Sequence, residues 1–150
     1  MTAIYVDADA CPVKDEAVRV ALRHRVGVFI VSNGGIRPRP EPGVEMVIVG
    51  DALDAADDWI AERARRGDVV ITNDIPLAAR AVAAGARVVK PNGEAVTEAG
   101  VGQALATRNL LTGLREAGAI TGGPPPFSKR DRSRFLDTLE TTLRAAARDT

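Results

Sequence analysis

The sequence predicts an α/β fold: a three-layer sandwich with a mainly parallel sheet of about five strands, helices on both faces and a helical C-terminal arm. Three observations predict it. Short apolar, β-branched runs recur at 3–7, 28–31, 44–49, 69–72 and 86–89, each the length of a buried strand. Stretches with helical spacing separate most of them, and this β-α-β-β-α-β-α-β alternation implies parallel pairing. Beyond residue 92 the pattern is helical, with one Pro-rich interruption at 121–126.

The bulk properties fit one domain. The chain has 150 residues, 45% of them hydrophobic and 27% charged, enough for a core of ordinary composition. We expect 1–91 to form the α/β core and 92–150 a helical extension of the same unit. No apolar run is long enough to span a bilayer, and the N-terminus lacks a signal-peptide pattern. With a single cysteine there is no internal disulfide, and the expected compartment is the cytoplasm. The twenty basic and twenty acidic residues cancel, but unevenly. Residues 108–150 carry eight basic and five acidic side chains, against twelve and fifteen in 1–107. An acidic centre beside a mildly basic C-terminal arm suits a cation site next to a phosphate-contacting surface; chance asymmetry is the plainer reading.

In order along the chain, Ile4, Tyr5 and Val6 are strand formers, and Pro12 is pre-set for a first helical turn, so a helix is expected over 12–25. A second buried strand ends at Ser32-Asn33-Gly34-Gly35. The run Arg37-Pro38-Arg39-Pro40-Glu41-Pro42-Gly43 can only be loop. After the third strand, Gly50-Asp51 should open a helix to about residue 66, with Leu53, Ala56, Ile60 and Ala64 as its core stripe. Gly67 stops it. The fourth strand leads to Asn73-Asp74-Ile75-Pro76, which opens a helix that Gly85 stops near 84. A helix is expected over 98–117, broken by Gly118, then the connector 121–126, then a last helix over 128–148. Ser128 and Asp131 have capping-box spacing, and Phe135, Leu139, Leu143 and Ala146 make an apolar stripe. The stiff connector suggests that this last helix docks as an arm.

Chemistry collects at the carboxyl ends of the strands, where open α/β sheets bind ligands. The first strand delivers Asp7 and Asp9, two residues apart and so on the same side, with Cα atoms roughly 7 Å apart. Carboxylates that close repel unless a proton or cation intervenes. The second strand delivers Ser32 and Asn33, and the fourth Thr72, Asn73 and Asp74. In the helix after strand three, Asp57 lies about 40° from Leu53 around the axis, at the border of the core stripe. It can lean over the sheet edge with Asp54 in support, while Asp58 turns toward solvent. Carboxylates gathered from distant segments make a site for a hard cation, Mg²⁺ or Mn²⁺. The plainer alternatives are that Asp74 and Asp51 cap helices and that Asp58 is an ordinary solvated residue. Asp7 and Asp9 are harder to explain that way, since buried carboxylates without a partner are costly.

Other residues point away from chemistry. Cys11 stands at a helix start, but its acidic neighbours oppose a thiolate and no basic loop follows, so it reads as a packing residue. His24, the only histidine, ends an exposed helix among arginines, which leaves no histidine-based zinc site or triad. The aromatic residues are too few for a base-stacking platform.

With Asp7-Ala8-Asp9-Ala10-Cys11-Pro12, Thr72-Asn73-Asp74-Ile75-Pro76-Leu77-Ala78, Thr121-Gly122-Gly123-Pro124 and Ser128-Lys129-Arg130-Asp131-Arg132, nearly the whole chain resembles the bacterial YaiI/YqxD family. That family looks like a branch of the PIN-like nucleases, metal-dependent enzymes that mostly cut RNA. The resemblance implies that Asp7, Asp57 and Asp74 fill the strand-one, helical and strand-four acids, with Asp9 and Asp54 auxiliary. PIN domains often carry glutamate as the helical acid; here it is aspartate, with a shorter reach. The chemistry implied is metal-assisted phosphodiester hydrolysis. Ser32, Asn33, Thr72 and Asn73 would orient water or phosphate. Ser128, Lys129, Arg130, Arg132 and Arg134 would hold a nucleic-acid backbone, although spread around a helix only about two of these can face one phosphate. The expected partners are nucleic acid, RNA first, and a homodimer is allowed; no membrane contact is expected.

Two rivals remain at this point. A haloacid-dehalogenase-like phosphatase also begins Asp-x-Asp, and would use Asp7 as nucleophile, Asp9 as acid/base, Ser32, and Asp51 with Asp54. It would need a flap before the first helix, where Pro12 stands, and a phosphate lysine, for which only Lys90 is placed. A non-catalytic RNA- or protein-binding domain could keep the acidic pocket for a regulatory cation.

Overall fold

A computed structural model describes residues 2–8, 11–34, 39, 41–52, 54–116 and 127–149, the side chains of 108–116 excepted. Asp9, Leu53, Gly118 and the 121–126 connector lie outside the described residues.

Each expected strand forms: β1 (Ala3–Asp7), β2 (Gly27–Ser32), β3 (Val44–Ile48), β4 (Val69–Ile71) and β5 (Arg87–Val89). They pair in parallel in the order β3-β2-β1-β4-β5. A sixth strand that the sequence pattern did not predict, β6 (Ala95–Val96), adds to β5 antiparallel and carries the sheet past residue 91. Two residues are too few to show any periodicity. A tight turn at 90–94 forms it, closed by Lys90 N–H to Glu94 O at 2.9 Å.

The helices are α1 (Lys14–His24), α2 (Ala55–Arg63), α3 (Ile75–Ala83), α4 (Glu98–Glu116) and α5 (Lys129–Asp149). The second departs most from expectation. It was expected to open at Gly50-Asp51 and reach residue 66, but it starts at Ala55 and ends at Arg63. Asp54 sits at φ 65°, a left-handed conformation that no helix interior tolerates, so the chain kinks there before the helix begins. Asp51 therefore caps nothing and lies exposed in a bend. At the other end Ala64 is already extended. The capping box of α5 does form: Ser128 N–H donates to Asp131 at 3.0 Å and Asp131 N–H to Ser128 Oγ at 3.2 Å.

Alternation along the strands divides the core in two. Ile4, Val6, Val28, Ile30, Val69 and Ile71 face α1 and α5. Tyr5, Val31, Val70 and Val88 face α2, α3 and the start of α4. The last helix docks as a full member of the first of these layers, because Phe135, Leu139, Leu143 and Ala146 are all buried there. Each of the three large side chains gains about 1.5–3 kcal/mol from that burial. Close approach fixes its height on the sheet. At Gly93 (φ 91°), just past β5, a Cβ would come within 2.6 Å of the Arg134 carbonyl carbon, so only glycine lets the turn meet α5.

The topology locates the crevice. From β1 the chain winds outward through β2 to β3, then crosses back to β4 on the other side of β1 and winds outward again. The carboxyl ends of β1 and β4 are the switch point, where the two crossovers part and leave an opening.

Candidate functional site

Asp7 is the last residue of β1, and Thr72 follows β4 directly. The Thr72 hydroxyl joins the two segments. It donates to Asp7 Oδ2 at 2.8 Å and accepts from the Asp74 N–H at 2.9 Å. Thr72 is buried, and its own N–H extends the β4–β5 ladder by bonding Val89 O at 3.2 Å. The hydroxyl thus sets Asp7 and Asp74 relative to one another from a rigid strand end. Asp74 also caps α3, accepting from Leu77 N–H at 2.9 Å, with Pro76 in the first turn. The capping alternative holds for Asp74, but it occupies one oxygen and leaves the other at the rim.

From the far side of the crevice, α2 brings Asp57. Asn33, Val49, Gly50, Ala52, Asp54–Asp57 and Asp74 enclose a polar cleft of ≈ 160 Å³. Burial pushes the Asp57 carboxyl up, the charges of Asp74, Asp7 and Asp54 push it further, and a hydrogen bond to Asp74 adds to this, to about 7. Two carboxyl groups can share a hydrogen bond only by sharing a proton. Four acids from three separated segments therefore interact at the switch point, with Asp57 at their electrostatic centre. Among the described residues Asp54, Asp57 and Asp74 have no ion pair with a base.

Other predicted residues fall in and around this rim. Asn33 lines the cleft and is exposed; Asn73 is exposed beside it. Ser32 is buried, and its hydroxyl is engaged by Gly34 N–H at 3.3 Å in a local turn. Asp58 is exposed and pairs with Arg80 at 2.7 Å, as an ordinary helix-surface residue would. Ser128, Lys129, Arg130, Arg132 and Arg134 are exposed at the start of α5. That start lies on the same carboxyl rim, since the second turn of α5 rests against Gly93 past β5 and Arg132 pairs at 3.2 Å with Glu16 in the first turn of α1. It lies on the α1 side of the sheet, however, whereas the acidic cleft opens on the α2 side.

Some contributors were not legible in the sequence. Glu16, buried on α1, fixes Arg132. Asp68 is buried and accepts from Ala3 N–H and Arg65 N–H, both at 3.1 Å, a purely structural role. His24 ends α1 only partly exposed, held with Arg23 by Glu140 of α5. Cys11 is buried, and burial pushes its thiol up, as suits packing.

For a metal ion the tests divide. The donors, all carboxylates with amide and hydroxyl neighbours, are those a hard divalent cation takes. Yet among the described residues no three His, Cys, Asp or Glu side chains are already arranged to hold an ion. Asp57 is hydrogen-bonded to Asp74, while Thr72 holds Asp7.

A model of the "Uncharacterized BCR, YaiI/YqxD family" matches residues 5–145. A UPF0178 protein of Cereibacter sphaeroides is 63% identical over 147 residues, 97% of this chain and 91% of its own length. One from Ruegeria pomeroyi is 63% identical over 151 residues, covering 99% and 98%. One from Bradyrhizobium diazoefficiens is 60% identical over 147 residues, covering 98% and 88%. No solved structure matches the chain.

Proposed function

The chain belongs to the YaiI/YqxD family, and on that premise we propose that it is a divalent-metal-dependent, PIN-like phosphodiesterase that hydrolyses nucleic acid, RNA first. The observation that supports this reading is Asp57, a rim carboxyl lifted to about 7 by burial and by three other acids. Stability alone gives no reason to gather them, and a cation of charge two would relieve all four at once.

Asp7, Asp57 and Asp74 would hold the ion, with Asp54 and Asp9 in support. Bound there, Mg²⁺ or Mn²⁺ would lower the pKa of a bound water and offset charge on the phosphoryl oxygens. The chain's own residues do the rest. The Thr72 hydroxyl keeps Asp7 oriented, so that the strand-end carboxylate is set before substrate arrives. Asn33 and Asn73 offer amide groups to the water or a phosphate oxygen at the cleft mouth. Lys129 and Arg130 hold the polymer backbone where it crosses the rim from the α1 side.

The phosphatase alternative has less support. Only six residues, 8–13, separate β1 from α1, too few for a flap, and the Lys90 ammonium lies 3.4 Å from Glu94. The deciding experiment is incubation of end-labelled RNA with the protein and MnCl₂. We expect cleavage that Asp7→Asn reduces about 100-fold or more. Turnover of small phosphomonoesters with phosphate trapped on Asp7 would replace this reading with the phosphatase. Manganese-independent RNA binding without turnover would replace it with a binding module.

A further inference from the structure

The sheet ends on β3, and among the described residues no further strand pairs with that edge. Val28 N–H bonds Gly43 O at 2.9 Å and Val49 N–H bonds Ser32 O at 2.8 Å. Backbone groups alternate sides along a strand, so those of Glu45 and Val47 also face β2, and those of Val44, Met46 and Ile48 face the open edge. Proteins guard such an edge with charge, proline, a bulge or a covering element. Here Glu45 is the only charge in the strand. Ile48 is 74% exposed, well beyond Leu22 at 44%, the other exposed large hydrophobic residue among those described.

We propose that β3 is a homodimer seam: two copies pair their β3 strands antiparallel about a two-fold axis at Met46, joining two six-stranded sheets into one. A second copy fits because the strand is complementary to itself, which an isologous contact requires. With the axis at Met46, that residue meets its own counterpart, and Val44 of each copy meets Ile48 of the other. These are the residues whose backbone groups face outward, so they form the hydrogen-bonded pairs, the Val44 N–H exchanging its 3.3 Å turn bond to Glu41 O for the partner strand. Their side chains share one face of the sheet, where Val44 and Met46 already lean on the α1-side core. The contact therefore extends an existing apolar layer and covers Ile48. On the other face Glu45 meets Val47. Moving the axis to Glu45 would oppose two like charges directly, which is destabilising, and moving it to Val44 or Ile48 would shorten the overlap. All five residues pair only with the axis at Met46. Val49 and Gly50, which line the acidic cleft, lie outside the seam, so the cleft stays open in the dimer.

Sedimentation velocity on the full chain, from about 1 to about 100 μM, tests the seam in the range where a contact of this size should show. The expected result is a mass that rises from 15.8 kDa toward twice that value. Ile48→Lys, at an exposed position that the fold does not need, should weaken association about tenfold or more. Leu22→Lys should leave it unchanged. Met46→Cys should give a disulfide-linked dimer on mild oxidation, because facing Cα atoms about 5.5 Å apart in a hydrogen-bonded antiparallel pair lie within disulfide reach. A monomer throughout the range overturns the proposal. So does a dimer that Ile48→Lys leaves intact, and a dimer in which Met46→Cys does not cross-link overturns the register.

Discussion

Two regions of this molecule treat acidic side chains in opposite ways. Along the α1–α5 layer buried and half-buried acids face bases. Glu140 meets Arg23 at 2.8 Å, His24, and Arg144 at 3.8 Å; Glu16 meets Arg132 at 3.2 Å. At the far end of α5, Asp149 meets Arg87 at 2.7 Å, and that guanidinium holds its carboxyl below the usual range. In the cleft at the carboxyl rim, acid faces acid, and Asp57 is pushed the other way. The same residue types serve cohesion in one place and store repulsion in the other. A chain that pairs its charges elsewhere has set acid against acid at the switch point of its sheet, where a ligand can answer them.

The comparison can be broken or sharpened by substitution. The largest effect should come from the packing beneath the paired region. Phe135→Ala, which empties a fully buried site under α5, should cost about 3–5 kcal/mol in urea unfolding. A cost below 1 kcal/mol would mean that α5 does not belong to the core. Next, Asp74→Asn should abolish metal-dependent cleavage while keeping the α3 cap, since asparagine caps as well as aspartate. Asp74→Ala should lose the cap too, at about 1 kcal/mol. If Asp74→Asn keeps wild-type activity, Asp74 is a cap and nothing more.

A smaller effect should have the opposite sign. Asp57→Asn removes the most strained carboxyl and should stabilise the chelated protein by about 0.5–2 kcal/mol, while eliminating activity. The same group should give a pH signature. In the folded chain Asp57 keeps its proton up to about pH 7, and in the unfolded chain only to about 4. Between those values the folded state holds more protons, so its stability should fall as pH rises through that window in EDTA. Asp57→Asn should remove that slope. The smallest effect belongs to the paired region. Glu140→Gln should lower stability by less than about 1 kcal/mol, because its partners are half-exposed and solvent screens them.

Much of this contrast was legible in the sequence, for reasons specific to each residue. Asp7 and Asp74 sit at the ends of apolar runs whose length and parallel alternation fix where the strands stop. Asp57 followed from its angle to the apolar stripe of α2, an inference that survived the late start of that helix because Ala56, Ile60 and Ala64 are buried as expected. The start itself was missed, since the left-handed turn at Asp54 has no glycine to announce it. Leu53 and Asp9 belong to the same argument and lie outside the described residues. The paired acids were illegible: nothing in the sequence brings Glu16 to Arg132 or Glu140 to Arg23 until α5 lies beside α1. Nor could β6 be read, since it depends on a turn and on β5 beside it.

Titration calorimetry with MgCl₂ and with MnCl₂ at pH 6.5, in two buffers of different ionisation enthalpy, tests the central claim most directly. The account predicts saturable binding, with release of the proton that Asp57 shares with Asp74, and loss of both signals in Asp57→Asn and Asp7→Asn. Absence of saturable heat in the wild-type protein, or binding that both variants retain, would contradict it.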